Sequence, residues 1–140
     1  MTTAESRTFT WPIRVYYEDT DAGGVVYHAQ YIKYLERART EWLRAAGVEQ
    51  DALLAEQGVV FAVTHIDLRF RRPARFNELL TVSVIPLRTG RARIAFEQVV
   101  SRAENPGEPL ATATVEVACV EQARFRACAV PDFLIDKLDL

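Results

Sequence analysis

The clearest pattern in the sequence is a helical repeat of apolar residues between residues 26 and 47. Steps of three and four residues separate Tyr27, Tyr31, Leu35, Ala38, Trp42 and Ala45. This spacing places the apolar side chains on one helix face, and the charged residues of the stretch fall mostly on the other. Gly47 is a suitable helix stop, so the pattern predicts an amphipathic helix that starts near Val26 and ends before Gly47.

Outside this helix, the hydrophobic pattern is mainly that of β-strands. Alternating or β-branched runs predict strands at residues 9–17, 59–70, 79–87, 92–103 and 110–120, with a last short one at 127–130. A short helix is predicted at 48–57, and turns at 88–91 and 104–108. This order indicates an α+β fold with an antiparallel sheet of about five strands. Such a sheet has open edges, and pairing two copies edge to edge would close one of them.

Length and composition limit the classes of protein to consider. The chain has 140 residues, 49% hydrophobic and 26% charged, and we expect one globular domain spanning residues 1–140. Its net charge of −2 and pI of about 5.7 lack the basic character of a nucleic-acid-binding protein. No stretch is long and apolar enough for a membrane span, and the polar residues 1–8, which we expect to be loose, do not form a signal peptide. We therefore expect a cytoplasmic protein.

No motif for a metal or a bound cofactor is found. Cys119 and Cys128 lack metal-ligand spacing, and two cysteines do not make a disulfide framework, so we expect free thiols. His65 has no partner visible in the sequence and is interpreted as structural. The glycine motifs of nucleotide-binding loops and the G-x-S-x-G motif of serine hydrolases are absent.

Candidate chemistry lies where the first predicted strand meets the helix. Asp21 is followed by Gly23 and Gly24, which allow another group to approach the backbone closely. Unpaired N–H groups and the positive end of the helix dipole lie at the helix start, where they can stabilise an oxyanion. A carboxylate beside such a site suits acyl-group hydrolysis, because it can attack the acyl carbon or take a proton from water.

The same loop has other interpretations. An aspartate before a helix often serves as a cap, and Gly-Gly often forms a turn. Asp19, Asp21 and Gly24 match positions 1, 3 and 6 of a calcium-binding loop, but the twelfth position requires a glutamate and is Gln30. Asp-x-Asp after a strand also occurs in aspartyl-phosphate phosphatases, but the further lysine and aspartate motifs of that class are not found here.

Residues 15–28 read VYYEDTDAGGVVYH. This segment closely resembles the active-site signature of 4-hydroxybenzoyl-CoA-type thioesterases, most of all their Tol-Pal-associated acyl-CoA thioesterase branch. The similarity extends through Tyr31 and residues 36–44 and, more loosely, to about Cys119. The resemblance implies a hotdog fold, in which a long central helix is wrapped by a curved antiparallel sheet. It also implies homodimers or homotetramers with active sites at the subunit interface.

The resemblance further implies an acyl-CoA thioesterase that releases a free acid and coenzyme A, with Asp21 as base or nucleophile. The helix start from Val26 to His28 would form the oxyanion hole, and the His28 imidazole would line the acyl pocket or assist catalysis. Neither a metal nor another cofactor is implied. The residues expected to contact substrate are Tyr17, Gly24, Val26, Tyr27, Tyr31 and Arg91.

Arginines are the candidate contacts for the phosphates of coenzyme A, because the guanidinium binds phosphate in a bidentate manner. The two clusters are Arg71, Arg72 and Arg75, and Arg88, Arg91 and Arg93. Arg91 is the single residue we favour. Acyl carrier protein is an alternative substrate carrier, since its acidic surface would suit the same arginines. A non-catalytic acyl-CoA-binding module is a further alternative, but the intact Asp21 argues against it.

Overall fold

The computed structural model describes residues 8–140, so the expectation of a loose segment at residues 1–8 lies outside it except for Thr8. The strands and helices are, in chain order, β1 (Phe9–Arg14), α1 (His28–Ala45), α2 (Gln50–Gln57), β2 (Val59–Phe70), β3 (Leu79–Arg88), β4 (Arg93–Arg102), β5 (Asn105–Glu121), β6 (Arg126–Ala127) and α3 (Asp132–Leu138). None of these helices is long and apolar enough to cross a membrane.

The strands form one antiparallel sheet in the order β1-β3-β4-β5-β2, with β6 beside the end of β5. Alternate residues of β3 and β4 are buried, including Leu80, Val82, Val84 and Ile94, so one face of the sheet carries the core. Helix α1 packs on this face. The predicted α+β class and antiparallel sheet are confirmed.

Helix α1 has 18 residues and is shorter than predicted, because it begins at His28 and not near Val26. Its buried side chains are Tyr31, Tyr34, Leu35, Ala38, Arg39, Trp42 and Leu43. Tyr27 precedes the first turn as the N-cap residue and is exposed, although the periodicity placed it on the buried face. The apolar stripe is therefore confirmed from Tyr31 to Trp42, whereas Ala45, which the pattern also placed on the buried face, is exposed.

Arg39 departs from the predicted polar face of α1, because it is buried against the sheet. Its guanidinium Nη1 donates to Oε1 of Gln98 on β4 (3.0 Å), and the Gln98 Nε2 donates to the carbonyl of Leu35 (3.1 Å). Burial lowers the pKa of Arg39. A polar link thus crosses the apolar layer between α1 and the sheet, with each buried group hydrogen-bonded.

Several predicted boundaries move. Strand β1 ends at Arg14 and not at Tyr17 as predicted, and Tyr17 instead begins a 3₁₀ turn of Tyr17–Asp19. Strand β2 is confirmed at Val59–Phe70, and the α2 end is confirmed by the left-handed Gly58 (φ +68°). Strand β5 already begins at Asn105, inside the predicted turn at 104–108, because the hairpin with β4 closes earlier. The last strand is confined to residues 126–127.

The ion pair of Glu78 and Arg102 anchors the segment of residues 71–78, between β2 and β3, and Arg72 of this segment also pairs with Glu108 of β5 (3.4 Å). Glu78 accepts a hydrogen bond from the guanidinium of Arg102 on β4 and another from the N–H of Arg75 (2.6 Å). Arg102 also donates to the carbonyl of Pro73 (3.0 Å). Burial disfavours the Glu78 carboxylate, but these hydrogen bonds outweigh burial and hold the pKa of Glu78 below its ordinary value.

Replacing Glu78 by glutamine should lower the free energy of unfolding near neutral pH by about 1–3 kcal/mol, the range for hydrogen bonds to charged groups. Because the folded-state pKa is depressed, the stability contributed by this carboxylate is present above its ordinary pKa of 4.5 and is lost as the pH falls below it. Urea denaturation near neutral pH and about 1.5 pH units below the ordinary pKa measures the difference.

The difference in the free energy of unfolding between wild type and Glu78→Gln should be smaller at the lower pH. Glu56→Gln, at an exposed position of α2, is the matched control and should change little at either pH. An equal loss of stability for Glu78→Gln at both pH values would contradict the role of the charge.

Candidate active site

The loop between the 3₁₀ turn and α1 is closed by its own backbone. The N–H of Asp21 donates to the carbonyl of Val25 (2.9 Å), and the N–H of Gly24 donates to the carbonyl of Asp21 (3.0 Å). Thr20 and Val26 form an antiparallel bridge at its base. Gly24 has a φ of +78°, which residues with a Cβ rarely adopt, so the turn favours glycine at this position.

The Asp21 side chain is exposed at the surface of this loop. Its Oδ1 accepts a hydrogen bond from the N–H of Gly23 (2.8 Å), which orients the carboxylate, and no partner of Oδ2 is found in residues 8–140. The side chain borders an open cleft whose lining also includes Tyr17, Thr20, Ala22, Gly24 and Phe76. The Asp21 carboxylate is therefore open to solvent within this cleft.

The start of α1 offers fewer free donors than the sequence predicted. The N–H groups of Val26 and Tyr27 already donate to backbone carbonyls, those of Ala74 and Asp19 (both 2.8 Å). Within the described chain, the N–H groups of His28 and Ala29 have no such partner. These two N–H groups occupy the positive end of the α1 dipole, so they are the donors that can hold an oxyanion.

Asp19 is the residue that joins the loop to the helix. Its buried carboxylate accepts hydrogen bonds from the N–H of Tyr16 (2.9 Å) and from Nε2 of Gln30 (2.6 Å). Its backbone carbonyl accepts the N–H of Tyr27 (2.8 Å). These contacts set the position of the Asp21 loop relative to the first turn of α1.

Tyr34 adds a buried hydroxyl on the core side of Asp19. The hydroxyl has no hydrogen-bond partner among the described residues. Burial, and then the nearby Asp19 carboxylate, raise the pKa of Tyr34. The hydroxyl is therefore protonated near neutral pH, and Asp19 faces a neutral neighbour.

Sequence reasoning missed the positioning role of Asp19. The available signal was Gln30, the residue that excluded a calcium loop, because a buried carboxylate needs a donor such as an amide. The 11-residue separation of Asp19 and Gln30 hides their contact in the sequence. No group of three or more His, Cys, Asp or Glu side chains that could hold a metal ion is found in residues 8–140.

Apart from Gly24, which lines the cleft, and Arg91, the predicted substrate-contacting residues separate into an exposed group, joined by His28, and a buried group. Tyr17 is 79% exposed and meets the ring of Phe76 edge-on, with ring centroids 5.8 Å apart, at the border of the cleft. Tyr27 and His28 are exposed, and their rings are 4.3 Å apart. Tyr17 therefore shares the cleft with Asp21, whereas Tyr27 and His28 lie at the start of α1 beside the unpaired N–H groups.

Val26 and Tyr31 form the second group and are buried beneath the loop. The Tyr31 hydroxyl accepts a hydrogen bond from the N–H of Ala74 (3.3 Å), and its ring meets Phe70 edge-on at 5.2 Å. Burial raises the pKa of Tyr31. In this chain both residues support the site from the core side and do not line the cleft.

Arg91 is not brought together with Asp21 in one chain. It lies beyond the end of β3, whose start is beside the Asp21 loop, and a strand of that length spans about 30 Å. The Arg91 carbonyl accepts the N–H of Val130 (2.8 Å), near the C-terminal helix. Arg75 lies much closer to the site, since it forms an antiparallel bridge with Val25.

The family profile described as "Thioesterase-like superfamily" matches residues 15–138. The chain belongs to the thioesterase-like superfamily. Its relatives include an acyl-CoA thioesterase YbgC of Haemophilus influenzae, 44% identical over 88% of each chain. They also include an acyl-CoA thioester hydrolase YbgC of Escherichia coli O6:H1, 42% identical over 91% of this chain and 92% of that protein.

A solved structure shows the same fold. The crystal structure of Slr0204, a 1,4-dihydroxy-2-naphthoyl-CoA thioesterase from Synechocystis, aligns with a TM-score of 0.87 at 23% identity. The alignment covers 94% of this chain and 96% of that chain. At this identity the likeness concerns the fold alone, and it confirms the hotdog architecture that the signature of residues 15–28 implied.

The geometry of the loop predicts that Gly24→Ala is destabilising. The substitution should lower the free energy of unfolding by about 1–2 kcal/mol, since a side chain is strained at positive φ. The added Cβ would meet no heavy atom within 4 Å, so the effect is conformational and not steric. Chemical denaturation measures it, and a variant as stable as wild type would contradict the left-handed conformation of Gly24.

Gly23→Ala is the matched substitution one residue earlier. Gly23 has no positive φ, but its added Cβ would lie 3.1 Å from Oδ1 of Asp21. Gly23→Ala should keep near wild-type stability, although it displaces the Asp21 carboxylate. Comparing the two variants therefore distinguishes the effect of the loop conformation from the effect of the carboxylate position.

Proposed function

We propose that this protein hydrolyses acyl-CoA thioesters at the cleft beside Asp21. One observation carries the assignment of the site: an exposed, oriented carboxylate lies in the loop that leads directly into a helix start with two unpaired N–H groups. The reaction class is that of the acyl-CoA thioesterases which are 42–44% identical to the chain over about nine-tenths of its length. Thioester hydrolysis suits a site that has no serine–histidine pair among its residues.

The proposed chemistry begins with the thioester carbonyl. Its oxygen accepts hydrogen bonds from the N–H groups of His28 and Ala29, which stabilise the negative charge that develops during attack. Asp21 then acts in one of two ways. It removes a proton from a water molecule that attacks the carbonyl carbon, or its own oxygen attacks and forms an acyl-aspartyl anhydride that water later cleaves. In both routes the thiolate of coenzyme A leaves and a carboxylic acid is formed.

Little further assistance is required, because a thiolate is a good leaving group. Each well-placed oxyanion donor contributes roughly 3 kcal/mol to lowering the barrier in known enzymes. The His28 imidazole borders the site beside Tyr27 and would contact the acyl group or assist proton transfer. The exposed rings of Tyr17 and Phe76 would form the outer wall for that group.

The phosphates of coenzyme A would be bound mainly by the arginines nearest the loop. Arg75 is exposed and bridges to Val25 through its backbone. Arg71 and Arg72 are also exposed in the same segment, and clustered guanidinium groups suit a polyanion. Arg91 would take part only if another copy of the chain carries it to the cleft. The same surface would suit acyl carrier protein as an alternative carrier.

We further propose that the protein is a single-domain homo-oligomer of the cytoplasm and belongs to the Tol-Pal-associated branch. The sequence of residues 15–28 supports the branch. Strand β2 supports the oligomer, because it is a 12-residue edge strand with no sheet neighbour beyond β5 in residues 8–140. An edge of this length is suited to pairing with a second copy.

Asp21→Asn should reduce kcat for acyl-CoA hydrolysis by about 100-fold or more, the range for loss of a general base, while the fold is retained. The amide keeps the shape and the Gly23 hydrogen bond but is a poor base and nucleophile. Steady-state release of coenzyme A from a series of acyl-CoA thioesters measures the effect. Glu18→Gln, an exposed acid three residues earlier, is the control and should keep near wild-type turnover. Comparable turnover by Asp21→Asn would remove the proposed mechanism.

The molar mass measured by sedimentation should be at least twice the 15.8 kDa mass of one chain. His65→Lys, near the middle of β2, should weaken the assembly, because antiparallel pairing about a two-fold axis brings like charges together there. Thr114→Lys on the interior strand β5 is the matched control. Analytical ultracentrifugation over a range of concentrations tests both variants. A monomeric wild type, or equal association constants for the two variants, would exclude pairing through β2.

A further inference from the structure

The two cysteines lie together at the end of the sheet that is remote from the Asp21 loop. The Sγ atoms of Cys119 and Cys128 are 3.6 Å apart, and both thiols are free. The N–H of Cys128 donates to the carbonyl of Cys119 (2.9 Å), so the two backbones are already adjacent. The sequence predicted free thiols but did not predict that they touch.

The pair lies at a junction in the sheet. The N–H of Cys119 donates to the carbonyl of Ala92 (2.7 Å), just before β4 begins. One residue later, Val120 pairs with Ala127 of β6. The neighbour of β5 therefore changes from β4 to β6 beside Cys119, and Cys128 begins the segment that leads from β6 to α3.

We propose that Cys119 and Cys128 form an oxidative modification site, which closes reversibly into a disulfide on reaction with a hydroperoxide. A disulfide requires neighbouring backbones and bonds its sulfur atoms at about 2.05 Å, and here the backbones are hydrogen-bonded and the Sγ atoms are 3.6 Å apart. Side-chain rotation at two neighbouring positions supplies the remaining approach. This site is independent of the proposed hydrolytic chemistry, which uses neither thiol.

The order of the two chemical steps follows from burial. Cys119 is buried, and burial followed by the neighbouring thiol raises the pKa of Cys119 to about 12. Cys128 is partly exposed, so it is the thiol that a peroxide in solution can reach. Its thiolate attacks one peroxide oxygen, the O–O bond breaks, and the departing hydroxide takes a proton to become water. Cys128 is left as a sulfenic acid.

Cys119 then resolves the sulfenic acid. Its sulfur attacks the sulfur of Cys128, the S–O bond breaks, and the hydroxyl leaves as water with the proton of the Cys119 thiol. In total, two thiols and one hydrogen peroxide give one disulfide and two water molecules. A dithiol reductant reverses the process by thiol–disulfide exchange.

The disulfide would constrain the segment that leads to the C-terminal helix. Val130, two residues after Cys128, donates its N–H to the carbonyl of Arg91 (2.8 Å), and Leu134 and Leu138 of α3 are buried in the core. A covalent link between Cys119 and Cys128 therefore holds β6, the approach to α3 and the turn containing Arg91 against β5.

The test treats the full chain with increasing hydrogen peroxide and analyses it by intact-mass and peptide mass spectrometry. We expect a mass lower by about 2 Da, from loss of two hydrogens, and a linked pair of peptides containing Cys119 and Cys128. Dithiothreitol should restore both. The oxidised chain should melt roughly 3–8 °C higher than the reduced chain, since the link restricts the unfolded state.

Single variants assign the steps. In Cys119→Ser, or Cys119→Ala if the serine variant does not fold, Cys128 should accumulate as a sulfenic acid that dimedone traps. In Cys128→Ser, Cys119 should stay unmodified at the same peroxide concentration. The proposal is overturned if wild type accumulates sulfinic acid or intermolecular dimers in place of the internal link. It is equally overturned if wild type stays reduced at a peroxide concentration that modifies Cys128 in the Cys119 variant.

Discussion

The site depends on a single buried carboxylate, that of Asp19. One carboxylate oxygen accepts a hydrogen bond from the N–H of Tyr16, before the 3₁₀ turn, and the other accepts one from the side chain of Gln30 on α1. The backbone carbonyl of Asp19 accepts the N–H of Tyr27, the N-cap residue of the helix. Burying a charge is costly unless its hydrogen bonds are satisfied, and here the donors come from both segments that must meet. Satisfying this carboxylate therefore fixes the loop that carries Asp21 relative to the first turn of α1.

A second layer of contacts supports this arrangement from below. The segment of residues 71–78 offers the carbonyl of Ala74 to Val26 and the N–H of Ala74 to the Tyr31 hydroxyl. That segment is itself attached to β4 through the ion pair of Glu78 and Arg102. The reactive loop is thus supported by the helix on one side and by the sheet on the other, although its own residues are mostly exposed. The Asp21 side chain can be exposed while its loop is anchored, because different residues provide the exposed surface and the anchoring contacts.

Local patterns in the sequence were sufficient to predict most of the fold and to select the Asp21 loop as the candidate site. Strand β2 could be predicted to its end residues, since β-branched and aromatic residues fill it and Gly58 precedes it. The apolar stripe of α1 could be predicted from Tyr31 to Trp42 for the same local reason. The start of α1 could not be predicted, because Val26 forms a bridge with Thr20 and donates its N–H to the carbonyl of Ala74, 48 residues later in the sequence. The distance of Arg91 from Asp21 and the contact of the cysteines likewise depend on which strands pair, which spacing along the chain does not encode.

The exposed pair of Tyr17 and Phe76 has a consequence for how such a protein can diverge. Their rings border the cleft, yet neither side chain forms part of the hydrogen-bonded support of Asp21. Substitution at these two positions can therefore alter the size and shape of the opening while the Asp21 carboxylate and its supporting hydrogen bonds stay in place. Selectivity for the acyl group can therefore evolve independently of thioester cleavage. A scaffold of this type can acquire new substrates through a small number of surface substitutions.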